Sequence, residues 1–247
     1  IDAVLAGKDV LTLLPTGAGK SLCFQVPTIT NGGVCIVISP LIALMQDQVK
    51  DLLDKNISAV NLGGQITPDA EDIILSDAKK GKYQFIYCSP EKLAQTNFQN
   101  FLSQITIQLF AIDEAHCISQ WGYDFRPAYR KLSILKKLFP KVPILAMTAS
   151  AIPLVQEDII KQLALQQPAV ITDQFLRANL KYSIHLVPVK LHSCRLILNE
   201  LNGAVIIYCN TRNNVSQLTN LLKAYKYKVD EYHAGLSIET RQRNQKA

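Results

Sequence analysis

Short, nearly continuous apolar runs alternate along the chain with longer stretches whose apolar residues recur every three or four positions. A run without polar interruption suits a strand covered on both faces, and the longer period suits a helix lying on a sheet. The pattern predicts β-α units around a parallel sheet. Strands are expected at Asp9–Leu14, Val34–Ser39, Ala59–Leu62, Gln84–Cys88, Leu109–Asp113, Ile144–Thr148 and Ala169–Thr172. Helices are expected at Ile42–Leu53, Pro68–Lys79, Glu91–Gln104, Ala128–Leu138 and Leu154–Leu163. Thr67-Pro68 and Ser89-Pro90 each pair a capping hydroxyl with proline at the first helical position.

After Asp173 the pattern restarts, with strands expected at Tyr182–Val187, Ala204–Cys209 and Lys228–His233 and helices at Leu191–Leu201, Asn213–Tyr225 and after Ser237. This divides the chain into a first domain over 1–175 and the opening of a second over 182–247, with a linker near Asp173–Lys181. About 65 residues are too few for a second sheet covered on both faces. The C-terminus stops inside a helix without a cap or breaker, and Ile1–Leu5 reads as the end of an amphipathic helix closed by Gly7, so a fragment of a longer protein is expected.

Composition narrows the class. With 247 residues, 48% hydrophobic and 19% charged, the chain can bury a substantial core, which excludes disorder. A net charge of +6 permits a polyanionic partner, although Lys79, Lys80, Lys82, Lys136 and Lys137 also suit solvated faces. Ser21 to Gln46 carries no charge, but Pro27, Gly32, Gly33 and Pro40 break it into pieces too short to cross a bilayer. No secretory signal pattern opens the chain, so a cytoplasmic protein without membrane partners is expected. The six cysteines form no C-x-x-C pair and imply neither zinc nor a disulfide framework.

Two segments carry chemistry. Leu14-Pro15-Thr16-Gly17-Ala18-Gly19-Lys20-Ser21 lies between a predicted strand and a helix expected from about Lys20. Glycines let backbone N–H groups turn toward phosphates; the Lys20 ammonium suits the β and γ oxygens of ATP and the Ser21 hydroxyl suits Mg²⁺. Leu14 stands where the strict phosphate-loop pattern has glycine. About 90 residues on, Ala111-Ile112-Asp113-Glu114-Ala115-His116 ends another strand. Asp113 there suits the metal, and Glu114 suits orienting and deprotonating an attacking water.

The run Asp113-Glu114-Ala115-His116-Cys117-Ile118-Ser119-Gln120-Trp121-Gly122-Tyr123-Asp124-Phe125-Arg126-Pro127 resembles the Walker B segment and aromatic-rich loop of RecQ-family DNA helicases. The likeness continues through Ser39-Pro40-Leu41-Ile42-Ala43-Leu44, Ser89-Pro90-Glu91-Lys92-Leu93, Ala146-Met147-Thr148-Ala149-Ser150, Ile206-Ile207-Tyr208-Cys209-Asn210-Thr211-Arg212 and Tyr232-His233-Ala234-Gly235-Leu236. Ser150 stands where the family usually has threonine. The resemblance implies an α/β protein of two RecA-like parallel-sheet P-loop domains, the second truncated. It also implies an ATP-dependent helicase moving 3′ to 5′ on single-stranded DNA and opening forked DNA.

Trp121, Tyr123 and Phe125 can stack on bases and Arg126 can contact phosphate; core anchoring is the alternative for Trp121 and Phe125. Gln120 belongs to the same loop. Ser39, Pro40, Thr148 and Ser150 fall at strand ends, where α/β proteins bind ligands, although strand-end capping explains them too. Asn210, Thr211 and Arg212 suit either backbone binding or a helix cap. No His spacing suggests a metal, and the resemblance implies that His116 bridges the ATP site to the Ala146-Met147-Thr148-Ala149-Ser150 segment. It places the adenine-reading glutamine before Ile1, and the arginine finger, zinc subdomain and winged helix after Ala247, so weak ATP hydrolysis is expected of this chain. An RNA-remodelling motor or a non-catalytic DNA adaptor are the rival readings.

Overall fold

Strands β1 (Val10–Leu13), β2 (Val34–Ile38), β3 (Ala59–Asn61), β4 (Phe85–Cys88), β5 (Ile107–Ile112), β6 (Ile144–Thr148) and β7 (Ala169–Thr172) make one sheet in the order β3-β4-β2-β5-β6-β1-β7. Every pairing is parallel. The computed structural model describes residues 1–247 apart from 65, 123, 174–178, 202 and 247, and in the last helix it leaves aside the side chains of 238, 242, 245 and 246. Each strand of the first domain lies where the apolar runs put it.

Alternation along the strands feeds two cores. Leu11, Leu13, Ile36, Ile38, Ile86 and Phe110 face one side, packed with Ala78 of α4 (Pro68–Lys79), Leu93 of α5 (Pro90–Leu93), Phe98 of α6 (Thr96–Leu102), Leu135 of α8 (Ile134–Leu138) and Ile159 of α9 (Pro153–Gln162). Val10, Cys35, Val37, Phe85, Tyr87 and Leu145 face the other, under Val4 of α1 (Asp2–Leu5), Phe24 of α2 (Leu22–Asn31) and Met45 of α3 (Ile42–Asp54). The Phe24 ring meets Phe85 and Tyr87 edge-on, at 6.1 and 6.5 Å between centroids. That contact fixes α2, and hence the loop that leads into it.

Thr67 and Ser89 cap as expected, accepting from the N–H of Ala70 (3.4 Å) and Lys92 (3.2 Å). Three expectations need correction. The helix over Glu91–Gln104 is two, because Gln95 is extended between α5 and α6, where Gln99 Nε2 donates to the Leu93 carbonyl at 3.0 Å. The helix over Ala128–Leu138 is broken into α7 (Pro127–Arg130), a 3-10 turn Lys131–Ser133, and α8. Tyr129 and Leu132 are both fully buried, and 3-10 winding brings residues three apart into line. Lys136 is no solvated lysine: it pairs with buried Asp9 at 2.8 Å. Asp9 also accepts from the N–H of Ile144 (2.9 Å) and Gln166 (2.7 Å), tying the starts of β1 and β6 to the segment entering β7.

The chain divides into compact units Ile1–Leu180 and Lys181–Ala247. The linker expected near Asp173–Lys181 falls partly on 174–178, outside the described residues. The second unit contains α10 (Lys190–Glu200), α11 (Arg212–Ala224) and α12 (Ile238–Lys246). The three strands expected there do not form among the described residues; Tyr182, Ile184 and Leu186 are 83%, 93% and 97% exposed. A strand exists only through the ladder of a neighbour, and these segments have none.

Candidate functional site

Strands β2, β5, β6 and β1 are consecutive neighbours in the sheet, and the segments following or ending them carry most of the chemistry. Ser39 follows β2, Asp113 follows β5, Thr148 ends β6, and the loop Leu14–Ser21 follows β1. Parallel strands put these C-terminal ends on one edge, where open α/β sheets bind ligands.

The loop after β1 is anchored by the Leu14 N–H donating to the Thr148 carbonyl at 3.1 Å. Gly17 (φ 84°) and Gly19 (φ 81°) take the left-handed conformation that the turn requires. The Ala18 N–H donates to the Pro15 carbonyl at 3.1 Å, closing the turn. Lys20 Nζ donates to the Leu14 carbonyl at 3.2 Å, which holds the ammonium across its own loop. Helix α2 begins at Leu22 rather than near Lys20, with Ser21 at its N-cap.

Asp113 is 9% exposed and accepts from Ser39 Oγ at 3.4 Å. Burial first, and the neighbouring Glu114 charge second, push its carboxyl pKa up. A buried carboxylate so destabilised favours a cation beside it. The Lys20 ammonium, the glycine turns and Asp113 therefore fit a magnesium-bound polyphosphate, with Ser21 and Asp113 as the residues to hold the ion.

Glu114 sits in the left-handed region (φ 48°, ψ 45°), a conformation costing a non-glycine residue on the order of 1–3 kcal/mol. The kink starts the 3-10 turn Ala115–Ile118 and brings Glu114 Oε2 to 3.2 Å from His116 Nδ1. The same Nδ1 lies 2.9 Å from Thr148 Oγ1. With the proton on Nδ1, the ring donates to both Glu114 and Thr148. The Ser150 N–H also donates to Thr148 Oγ1 (3.1 Å), and the Thr148 hydroxyl donates to the Ser150 carbonyl (3.4 Å). His116 has its pKa raised to about 9, by the Cys117 sulfur foremost and by Glu114 next. The hydrogen bond from His116 correspondingly holds the Glu114 carboxyl below the usual range.

The loop that follows is tied to this triad by backbone. A Cβ on Gly122 would lie 2.6 Å from the His116 carbonyl oxygen, so only glycine fits. Trp121 is 68% exposed, which removes the core-anchor alternative for it, whereas Phe125 is half-buried under Arg130 at 5.2 Å. Gln120 is exposed, and Tyr123 lies outside the described residues. Arg126 donates through Nε (3.1 Å) and Nη2 (3.0 Å) to Asp124 Oδ2, and through Nη1 to the Pro40 carbonyl (3.4 Å). A cleft of about 430 Å³ opens beside Trp121 and Gly122, walled by Ala149–Ile152 and Val155.

In the second unit, Asn210, Thr211 and Arg212 are exposed, and Thr211 caps α11 by accepting from the Asn214 N–H at 3.2 Å. Three side-chain pairings escaped the sequence reading. Tyr129 donates its buried hydroxyl to the Asp113 carbonyl at 2.9 Å, Asp124 clamps Arg126, and Lys92 pairs with Glu71 beside the end of β4. Tyr129 reads in sequence as an ordinary core residue of a helix; only the hydroxyl on a core aromatic hints that a partner must lie nearby.

Comparison with known proteins follows this geometry. A family model described as DEAD/DEAH box helicase matches residues 1–159. The chain is similar to the ATP-dependent DNA helicase RecQ of Pasteurella multocida, at 41% identity over 249 residues, covering 100% of this chain and 39% of that protein. It is 38% identical to the RecQ protein of Bacillus subtilis (97% of this chain, 41% of that protein) and 39% identical to the RecQ-like DNA helicase BLM of Xenopus laevis (98% and 18%). The chain thus spans about two fifths of the bacterial relatives it matches. Among solved structures, Mycobacterium smegmatis helicase Lhr bound to ssDNA and AMP-PNP superposes with a TM-score of 0.68 at 16% identity, over 98% of this chain and 36% of that one, a likeness of fold.

Proposed function

The chain belongs to the DEAD/DEAH box helicase family, and from that premise we propose that it carries the ATP site and part of the DNA path of a RecQ-type helicase motor. Residues 1–175 form its ATP-binding domain and residues 182–247 open a second RecA-like domain. The parent motor couples ATP hydrolysis to 3′-to-5′ movement on single-stranded DNA and to opening of forked duplexes. A cytoplasmic place of action follows from the same reading, and among the described residues no helix is long and apolar enough to cross a membrane.

The observation that carries this reading is the continuous hydrogen-bond chain from Glu114 through His116 to Thr148, at 3.2 and 2.9 Å, starting beside buried Asp113. Ser21 and Asp113 would hold a magnesium ion, which would supply charge neutralisation to the phosphates. Lys20 exchanges the Leu14 carbonyl for phosphate oxygens, a trade of a neutral acceptor for a charged one. Glu114, kept ionised by His116, orients the attacking water and accepts its proton. His116 links that carboxylate to the end of β6, while Gly122, next in sequence to the exposed Trp121, lies against the His116 carbonyl. A base stacked on Trp121 therefore bears on the same turn that positions Glu114. Pro40, Ser150 and Arg126 supply backbone contacts in this reading, as do Asn210, Thr211 and Arg212 in the second unit; Ser39 and Thr148, 3% and 0% exposed and bonded to Asp113 and His116, are too buried to touch DNA and act on the site from within.

Steady-state ATP hydrolysis with Mg²⁺, measured alone and with single-stranded DNA or RNA, tests the proposal. Turnover stimulated by DNA above RNA and absent in Lys20→Ala supports it. DNA affinity identical with and without ATP, together with no Lys20-dependent turnover, favours a non-catalytic adaptor.

A further inference from the structure

Residues 125–141 contain six cations and no carboxylate, and two of the six are spoken for: Lys136 by Asp9 and Arg126 by Asp124. Arg130, Lys131, Lys137 and Lys141 remain, all exposed, and none of them ion-paired among the described residues. They follow α7, the 3-10 turn and α8 down one side of the sheet. Seven residues of such winding separate Arg130 from Lys137, about 10–14 Å, or three to four base-pair steps. The neighbouring carboxylates are Glu91 on α5, which packs on α7, and Asp124, held by Arg126. Arg130 covers Phe125, so the upper end of this ridge is continuous with the loop bearing Trp121.

We propose that the ridge of Arg130, Lys131, Lys137 and Lys141 binds the phosphate backbone of double-stranded DNA, beside the place where Trp121 takes an unpaired base. This rests on the reading of the protein as a DNA motor and adds a duplex-binding surface to it. Charge alone would accept any polyanion; the absence of a stacking platform selects the duplex. Single-stranded sites interleave cations with exposed aromatics. Here Tyr129 is fully buried and Phe139 packs on Phe110 at 5.3 Å, so the ridge offers phosphate contacts without a face for bases. A duplex, its bases already stacked, needs only the former.

The test uses the whole chain with the substitutions Lys131→Gln, Lys137→Gln and Lys141→Gln together, leaving Arg130 on Phe125. Binding of a labelled blunt hairpin duplex and of a labelled single strand is followed across salt. Each phosphate contact to duplex contributes about 0.9 to the slope of log affinity against log salt, so the slope for duplex should fall by about 2.7. Between about 50 and 200 mM salt the unaltered chain should lose roughly 40-fold more duplex affinity than the variant, with single-strand affinity within about twofold. An unchanged duplex slope, or an equal fall for single strand, overturns the proposal. An unchanged far-UV circular dichroism spectrum and urea midpoint establish that the variant is folded. Single-strand binding without a duplex effect defeats the ridge alone; no DNA binding by the unaltered chain defeats the DNA-motor reading and the ridge with it.

Discussion

Asp9→Ala should be among the most destabilising single changes available to the first unit. The Asp9 side chain is 3% exposed and that of its partner Lys136 is 8% exposed, with 2.8 Å between the charges. Removing the carboxylate leaves the ammonium with the Val142 carbonyl at 3.0 Å as its remaining acceptor, and strips the N–H groups of Ile144 and Gln166 of theirs. Breaking a buried pair by deleting one partner costs about 3–5 kcal/mol. With a urea dependence of about 2 kcal/mol/M, that lowers the unfolding midpoint by about 1.5–2.5 M. Lys136→Met should cost less, about 1–3 kcal/mol, since Asp9 keeps both N–H donors. Adding Asp9→Asn to Lys136→Met should then recover part of that loss, because a neutral amide still accepts a hydrogen bond without stranding a charge. Urea denaturation followed by far-UV circular dichroism reads all three. A midpoint for Asp9→Ala within about 0.5 M of the unaltered chain would show that the network does not staple the strands as its geometry requires.

Gly122→Ala should leave nucleotide binding intact and remove DNA stimulation of turnover, since the new Cβ, 2.6 Å from the His116 carbonyl oxygen, must displace the Trp121 loop; stimulation retained in full would refute the coupling. Trp121→Ala should weaken single-strand binding by about 5- to 150-fold, the range of one lost base stack, with little effect on thermal stability because the ring is exposed; fluorescence anisotropy gives the first and calorimetry the second. Tyr129→Phe removes a buried hydroxyl bonded to the Asp113 carbonyl and should cost about 1–2 kcal/mol, read as a denaturation midpoint. Because His116 is raised from 6.5 to about 9, its charged form is favoured by folding. That contribution is complete below about pH 6.5 and fades as pH climbs through about 9, whereas His116→Gln should show no such fall; an imidazole titrating near 6.5 by NMR would contradict it.

The first unit was legible because its signals were redundant. Val34–Ile38 and Phe85–Cys88 are apolar at every position, which a two-faced sheet demands, and Pro68 and Pro90 follow capping hydroxyls that the structure uses. The glycine-rich loop and the Asp113-Glu114 pair do follow β1 and β5, the strands that the sequence placed before them. What sequence could not carry was long-range pairing. Asp9 and Lys136 are 127 positions apart, and nothing local marks Lys136 as different from Lys137 beside it. The break in the helix over 128–138 likewise comes from burying Tyr129 and Leu132 together, a tertiary demand that overrides helical period. The second unit failed for the opposite reason. Its segments have strand composition, as in Tyr182-Ser183-Ile184-His185-Leu186, but composition expresses only willingness to pair.

That willingness gives the molecule a colloidal character. Exposed Tyr182, Ile184 and Leu186, with Ile206 (78%) and Tyr208 (89%) in a second segment, set apolar side chains beside backbone donors and acceptors that no ladder engages among the described residues. Any extended chain that offers a matching ladder can pair with them, and another copy of the same segment is the partner always at hand. Association through these segments rises with concentration, whereas intramolecular folding does not.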